Sequence, residues 1–334
     1  MKRPRCSTIG VVAASGIATA LSKHSAHSFV LAPQAPSPPP HRRRRLLTLL
    51  HQSSVSFSDL AQDYETRVEP VTSMFLEELI EPFTFETSDN RLLDVGCGCG
   101  GGALHAAKAG FAVTAIDNSP AFIGRLSERC NEQQEDESLS IKVQVADGQS
   151  LPTEFTSEFD FVVSSFALVF FPDPLAGLQE MHRCLVPGGR VVISGWGDRG
   201  DSPAFRIIPD AVRATAPELM SASSKKKPFL RTPEEVVTLM EQAGFVNIEI
   251  KSDIKRTLTI STAQEYFERF AMGSPPTRSM MAWMRDNMGE DTVSKFKDEV
   301  MKLAVERGGG KPNGPIEIIS PAYFVYGSKK KKVT

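Results

Sequence analysis

Residues 91–102 read Arg91-Leu-Leu-Asp94-Val-Gly96-Cys97-Gly98-Cys99-Gly100-Gly101-Gly102. A short apolar run ends in an acid, enters a turn of alternating glycines and continues into the alanine-rich stretch 103–109. Glycine lacks Cβ, so its backbone takes positive φ and lets a ligand approach closely. The first N–H groups of the following helix point toward such a ligand. The stretch therefore predicts strand, cofactor loop and helix. Two kinds of cofactor compete for it. Gly96, Gly98 and Gly101 fit G-x-G-x-x-G, with Asp117 about 20 residues on, where a dinucleotide fold holds a ribose hydroxyl. Gly96, Gly98 and Gly100 equally fit an alternating series preceded by Asp94. A carboxylate at that point repels a pyrophosphate and suits a cation.

Downstream segments repeat the theme. Residues 111–117 form a second apolar run ending in Asp117, followed by Asn118-Ser119-Pro120. Residues 141–147 form a third, ending in Asp147-Gly148. Residues 159–166 form a fourth, ending in Ser164-Ser165-Phe166. Leu185-Val-Pro-Gly-Gly189 reads as a tight turn into a fifth strand, 190–196. Strands alternating with helices imply a parallel sheet covered on both faces. Asp94, Asp117, Asp147 and Ser164 then converge at the carboxyl ends of the strands, where such sheets bind ligands.

The order of glycine loop, strand-acid, strand-Asp-Gly, strand-Ser and Leu-x-Pro-Gly-Gly resembles the class I S-adenosylmethionine (SAM) methyltransferases over residues 58–328. It is similar to the methyltransferases of ubiquinone and menaquinone biosynthesis. The resemblance implies an α/β, Rossmann-like seven-stranded, mostly parallel sheet with helices on both faces. It implies a last strand, 316–326, antiparallel between strands five and six, with a helical cap inserted before it. The implied cofactor is SAM, held by Asp94, Gly96, Cys97, Gly98, Gly100, Asp117, Asn118, Asp147, Gly148 and Ser164. Asp117 would take the ribose hydroxyls, and Asp147 or its neighbours the adenine amino group. Tyr64 either lies near the sulfonium or packs against the sheet edge.

The chain has 334 residues and a net charge of -2. The first 50 residues hold eight of the 38 Lys and Arg and no acid, which leaves 30 bases against 40 acids in the body. An acidic body repels phosphates and excludes general nucleic-acid binding. The basic start, the weakly apolar run 9–21 and the proline- and arginine-rich stretch read as a targeting segment, 1–53. It resembles the bipartite presequences of plastids, and its composition also fits a mitochondrial one. The run 9–21 is too short to span a membrane. Residues 54–328 form the domain, and 329–334 a basic tail. The five cysteines show no zinc-like spacing, so no metal is expected; Cys97 and Cys99 read as small fillers between glycines.

Further helices are expected at 57–80, 203–214 and 232–243, with a sixth strand at 245–250. Residues 262–309 read as the cap, with helices at 262–271, 278–288 and 292–307. Phe267, Phe270, Met272, Met280, Met281, Trp283, Met284 and Met288 either give it adaptable apolar surface suited to a bulky acceptor or bury the insert against the body. No general base stands out. His24, His27, His41 and His51 lie in or beside the targeting segment, and His105 and His182 read as structural. The fourth strand lacks the Asn/Asp-Pro-Pro-Tyr/Phe ending that the family uses on nucleobase amines. The expected reaction is methyl transfer to oxygen or carbon of a small, apolar or aromatic acceptor. A non-catalytic SAM-binding subunit and a protein methyltransferase are the alternatives. Oligomeric state is not legible.

Overall fold

The computed structural model describes residues 61–81, 83, 90–133, 140–197, 202–222, 232–311 and 313–331. The targeting segment 1–53, the expected helix start at 57 and the last three residues of the basic tail lie outside them.

Seven strands make one sheet in the order β3-β2-β1-β4-β5-β7-β6. They are β1 (Arg91–Val95), β2 (Ala112–Asp117), β3 (Ile141–Val145), β4 (Phe159–Ser165), β5 (Leu185–Trp196), β6 (Val246–Ile260) and β7 (Ile316–Ser328). β1 pairs in parallel with β2 and β4, and β7 is antiparallel to both β5 and β6. The topology is the one expected. β1 is buried along nearly its whole length, as a central parallel strand should be. Its Leu92 enters a core with Phe75, Phe161 and Phe324, and Leu93 enters the opposite core with Val162, Leu178 and Tyr323. Strand order reverses at β1 and β4, so their carboxyl ends form the crevice of an open α/β sheet.

The helices are α1 (Ala61–Arg67), α2 (Glu69–Thr72), α3 (Leu76–Ile80), α4 (Gly101–Lys108), α5 (Pro120–Glu132), α6 (Pro174–Cys184), α7 (Pro203–Thr215), α8 (Pro233–Gln242), α9 (Ala263–Tyr266), α10 (Pro275–Met288) and α11 (Glu290–Arg307). The N-caps are legible: Ser119, Asp173 and Thr232 each accept from a backbone N–H three residues on, with Pro in the first turn. The single helix expected over 57–80 is instead three α segments and a 3-10 turn at Ser73–Phe75. Pro70, in the first turn of α2, cannot donate to a continued helix.

The expected turn Leu185–Gly189 belongs to β5, with only Gly188 at positive φ. There the Gly188 N–H bonds the Lys329 carbonyl and the Lys329 N–H bonds that of Gly189. β6 runs ten residues beyond the expected end. β5 stops at Trp196, opposite Ala322, so residues 255–260 of β6 pair with 316–321 of β7 as a two-stranded ribbon. This ribbon carries the insert. The cap is larger than 262–309: Ile207, Ala211 and Val212 of α7 share one core with Tyr266, Met284, Phe296 and Val300. Phe267, Met281, Trp283 and Met284 are buried in that core, and Phe270, Met272, Met280 and Met288 are half-buried against it. The apolar residues of the insert thus hold the cap together. A π-helix, Phe267–Ala271, follows α9.

Candidate active site

The glycine loop connects β1 to α4 at the strand-order switch. The Gly96 and Cys97 N–H groups both donate to the Ile116 carbonyl at 2.9 Å, which staples the loop to β2. Gly96 has φ +77°, and a Cβ there would lie 2.5 Å from the Ala167 Cβ. Gly98 lies beneath Tyr64: a Cβ would sit 3.3 Å from that ring. Tyr64 in turn tilts on Phe122, 5.1 Å between centroids. The loop is therefore bounded by Ala167 and by the phenol, and Tyr64 belongs to the loop rather than to the sheet edge.

Asp94 is 1% exposed and its Oδ1 has no hydrogen-bond partner. Burial, and then the neighbouring Asp117 carboxylate, push its pKa up to about 7. A buried orphan carboxylate is costly and calls for a cation. Asp117 ends β2 and accepts from Gly98 N–H at 3.0 Å and Ser119 N–H at 2.9 Å. Burial raises its pKa, while those amides and the Asn118 N–H oppose the rise.

A partner from within the chain meets the N-terminus of α4. Its Gly101 N–H donates to Glu69. The Arg129 guanidinium holds both Glu69 oxygens at 2.8 and 3.0 Å and the Cys99 carbonyl at 2.7 Å. Glu69 and Arg129 thus form an ion pair beside the start of α4. The orphan oxygen of Asp94 fits a cationic cofactor.

The other expected residues divide. Asn118 is exposed beside Asp117. Asp147 is exposed at the end of β3, where its Oδ1 accepts from the Gln149 N–H at 2.9 Å and organises the turn. Gly148 is buried where a Cβ would meet Phe171 and Val95. Ser164 is fully buried and its hydroxyl donates to the Val95 carbonyl at 3.0 Å, tying β4 to β1 behind the loop. The Cys97 thiol is buried, which raises its pKa well above the ordinary value. His182 packs edge-on against Phe245, and His105 lies in α4. Neither is a base for this site. Among the described residues no group of three or more His, Cys, Asp or Glu could hold a metal ion, and no helix is long and apolar enough to cross a membrane.

Sequence reasoning missed an aromatic cluster at the ends of β4 and β5. Phe166 has φ +54°, strained for a bulky residue. Its N–H is held by the Ser194 hydroxyl at 3.1 Å. Its ring stacks on Trp196 at 4.1 Å, and Phe205 and Phe75 lean on Trp196 at 5.1 and 6.1 Å. Positive φ at a phenylalanine leaves no trace in a sequence. The Glu69–Arg129 pair was equally hidden, its members being 60 residues apart.

Residues 93–193, from β1 into β5, match the family model described as a methyltransferase domain. The chain is 30% identical over 176 residues to demethylmenaquinone methyltransferase of Staphylococcus aureus, covering 48% of this chain and 70% of that one. This chain belongs to the class I SAM-dependent methyltransferases. It is also 30% identical over 198 residues to an uncharacterized protein of Mycobacterium tuberculosis, covering 59% of this chain and 68% of that protein. With aklanonic acid methyltransferase of a Streptomyces species it shares 27% identity over 225 residues, 62% of this chain and 94% of that one. A solved Bacillus subtilis protein superposes with a TM-score of 0.49 at 15% identity, covering 79% of this chain and all of the other.

The sequence implies the glycine loop, Asp94, Asp117 and Tyr64 as residues that would hold SAM, and the structure brings them side by side. SAM brings a methyl group already activated by its sulfonium. What remains for the protein is alignment and exclusion of water. α1 serves both ends: the Cys99 thiol donates to the Ala61 carbonyl at 3.3 Å, and Glu65 pairs with Arg125 of α5 at 2.5 Å. Arg269 of the cap donates to the Arg67 carbonyl at 2.9 Å, so α1 bridges the cofactor loop and the cap.

Proposed function

We propose that the enzyme methylates an oxygen or carbon atom of a small, apolar or aromatic acceptor. The observation that carries this reading is the aromatic cluster of Phe166, Trp196 and Phe205. It adjoins the glycine loop through Ala167, and its Trp196 and Phe205 are only partly buried. Aromatic faces favour flat apolar ligands through offset stacking and edge contacts. Transfer of labelled methyl from SAM to phenols, quinols and carbon acids, set beside phosphoethanolamine and a mixed peptide library, tests it. The expected product is a methyl ether or a C-methyl compound; methylated amines or peptides alone would overturn the reading.

Residues 1–53 support delivery to an organelle, a plastid ahead of a mitochondrion, through their basic, acid-free composition. A fluorescent protein fused behind residues 1–60 should enter the plastid of a plastid-bearing cell; diffuse fluorescence refutes this.

A further inference from the structure

α1 is a helix of seven residues, Ala61–Arg67, and none of them is buried. A helix so short does not hold itself together in water, so its neighbours must place it. Helical spacing sorts its contacts onto two sides. Ala61, Tyr64 and Glu65 meet the cofactor half. The Ala61 carbonyl accepts from the Cys99 thiol, the Tyr64 ring lies against Gly98 and on Phe122, and Glu65 takes the Nε and Nη2 arms of Arg125. Asp63 and Arg67, four residues apart, meet the cap. Asp63 pairs with Arg278 of α10 at 3.3 Å.

The contact of Arg67 is reciprocal. Its guanidinium donates to the Glu268 carbonyl, and Arg269 Nε donates to the Arg67 carbonyl at 2.9 Å. Arg269 thereby caps the C-terminal end of α1, where a cation also suits the helix dipole. Glu268 and Arg269 both belong to the π-helix, a distortion that recurs at functional sites. A Cβ on Gly273 would lie 3.1 Å from Arg67 Cδ, so the cap backbone closes on the arginine stem. Part-exposed ion pairs are individually weak. α1 therefore belongs to the less stable elements of the fold, and its place responds to small biases.

We propose that Arg269 and Arg278 of the cap are positioning residues for the cofactor site, acting through α1. They hold Tyr64 against the glycine loop, although their partners on α1 lie 202 and 215 positions earlier in the chain. In return, a cofactor seated beside Tyr64 fixes α1 and, through Asp63 and Arg67, steadies the π-helix and α10. Linkage requires that this coupling run equally in both directions. The inference rests on the SAM site described above and is independent of which acceptor the enzyme methylates.

Calorimetric titration of the full chain with S-adenosylhomocysteine tests this. Arg269→Met and Arg278→Met keep the aliphatic stems and remove the donors. Together they should weaken binding about tenfold, the low end for a hydrogen bond to a charged group. Arg278→Lys, which restores the charge opposite Asp63, should retain the affinity that Arg278→Met loses. Tyr64→Leu should weaken binding by itself, and adding the two methionines to it should change little more, because they act through the same ring. Unchanged affinity in the Met/Met variant, or losses that add fully to that of Tyr64→Leu, overturn the proposal. Arginines that serve only the packing of the cap would lower Tm and leave affinity unchanged. Hydrogen exchange on the wild type needs no variant and decides the matter should the variants fail to fold. S-adenosylhomocysteine should slow exchange at 263–271 and 275–288 as well as in the glycine loop; protection confined to the loop and α1 overturns the proposal. A wild type that does not bind S-adenosylhomocysteine overturns the cofactor site itself, and the proposal with it.

Discussion

Asp94→Asn should stabilise the protein without cofactor and impair its function. The folded state raises the Asp94 pKa from its ordinary 3.8 to about 7, through burial first and Asp117 second. The folded protein therefore keeps a proton that the unfolded chain has lost, across the interval from about pH 4 to about pH 7. Stability contributed by that proton is present at the acid end and is lost as pH rises through the interval. Roughly three pH units at about 1.4 kcal/mol each give an upper limit of about 4 kcal/mol. Asparagine has the same shape and no charge to desolvate. In urea titrations, Asp94→Asn should match the wild type near pH 4 and exceed it by up to about 4 kcal/mol near pH 8. Cofactor binding should move the opposite way. Wild-type affinity for S-adenosylhomocysteine should fall as pH drops through about 7 and the carboxylate is neutralised. The variant should bind more weakly, with no pH dependence across that range. Stability curves of wild type and variant that run parallel between pH 4 and pH 8 would refute the argument, as would unchanged affinity.

Four further outcomes follow from neighbouring geometry. Asp117→Ala removes the acceptor of the Gly98 and Ser119 amides as well as a charged ligand contact; calorimetry should show S-adenosylhomocysteine affinity reduced by about 2–4 kcal/mol. Gly100→Ala puts a side chain at φ +91° and into Leu126, which should destabilise by about 2–5 kcal/mol in urea. Gly124→Ala, inside α5 with nothing near its Cβ, should gain about 0.5–1 kcal/mol. Arg129→Ala leaves the buried Glu69 unpaired and should cost about 3 kcal/mol by thermal unfolding, most of it recovered in the double variant Glu69→Gln/Arg129→Met.

Strands and their acid ends were legible because burial imposes a local pattern: short segments rich in apolar residues, with Asp94, Asp117 and Asp147 at or beside their carboxyl ends. Caps such as Thr232-Pro233 were legible for the same reason, since the bond they make reaches only three residues. The place of β7 between β5 and β6 came from family likeness, as no local signal encodes strand order. Ser164 shows where pattern reading stops. Its position at a strand end is correct, yet its hydroxyl is used 69 residues away on Val95. Likewise the methionines of the insert read either as adaptable surface or as packing, and the long ribbon and α7 bring Met281 and Met284 into the cap's own core.

The sequence by itself determined that a glycine loop follows a strand ending in an acid, and hence that a cation suits the site better than a phosphate. Only the tertiary structure decided how that preference is enforced and what lies beside it. Glu69 and Arg129 pair beside the start of α4, Phe166 is held at positive φ with its ring stacked on Trp196, and Ser320 is left buried without a partner. Each depends on groups brought together across tens of residues. Periodicity records which side of an element is buried, but not which distant side chain it meets.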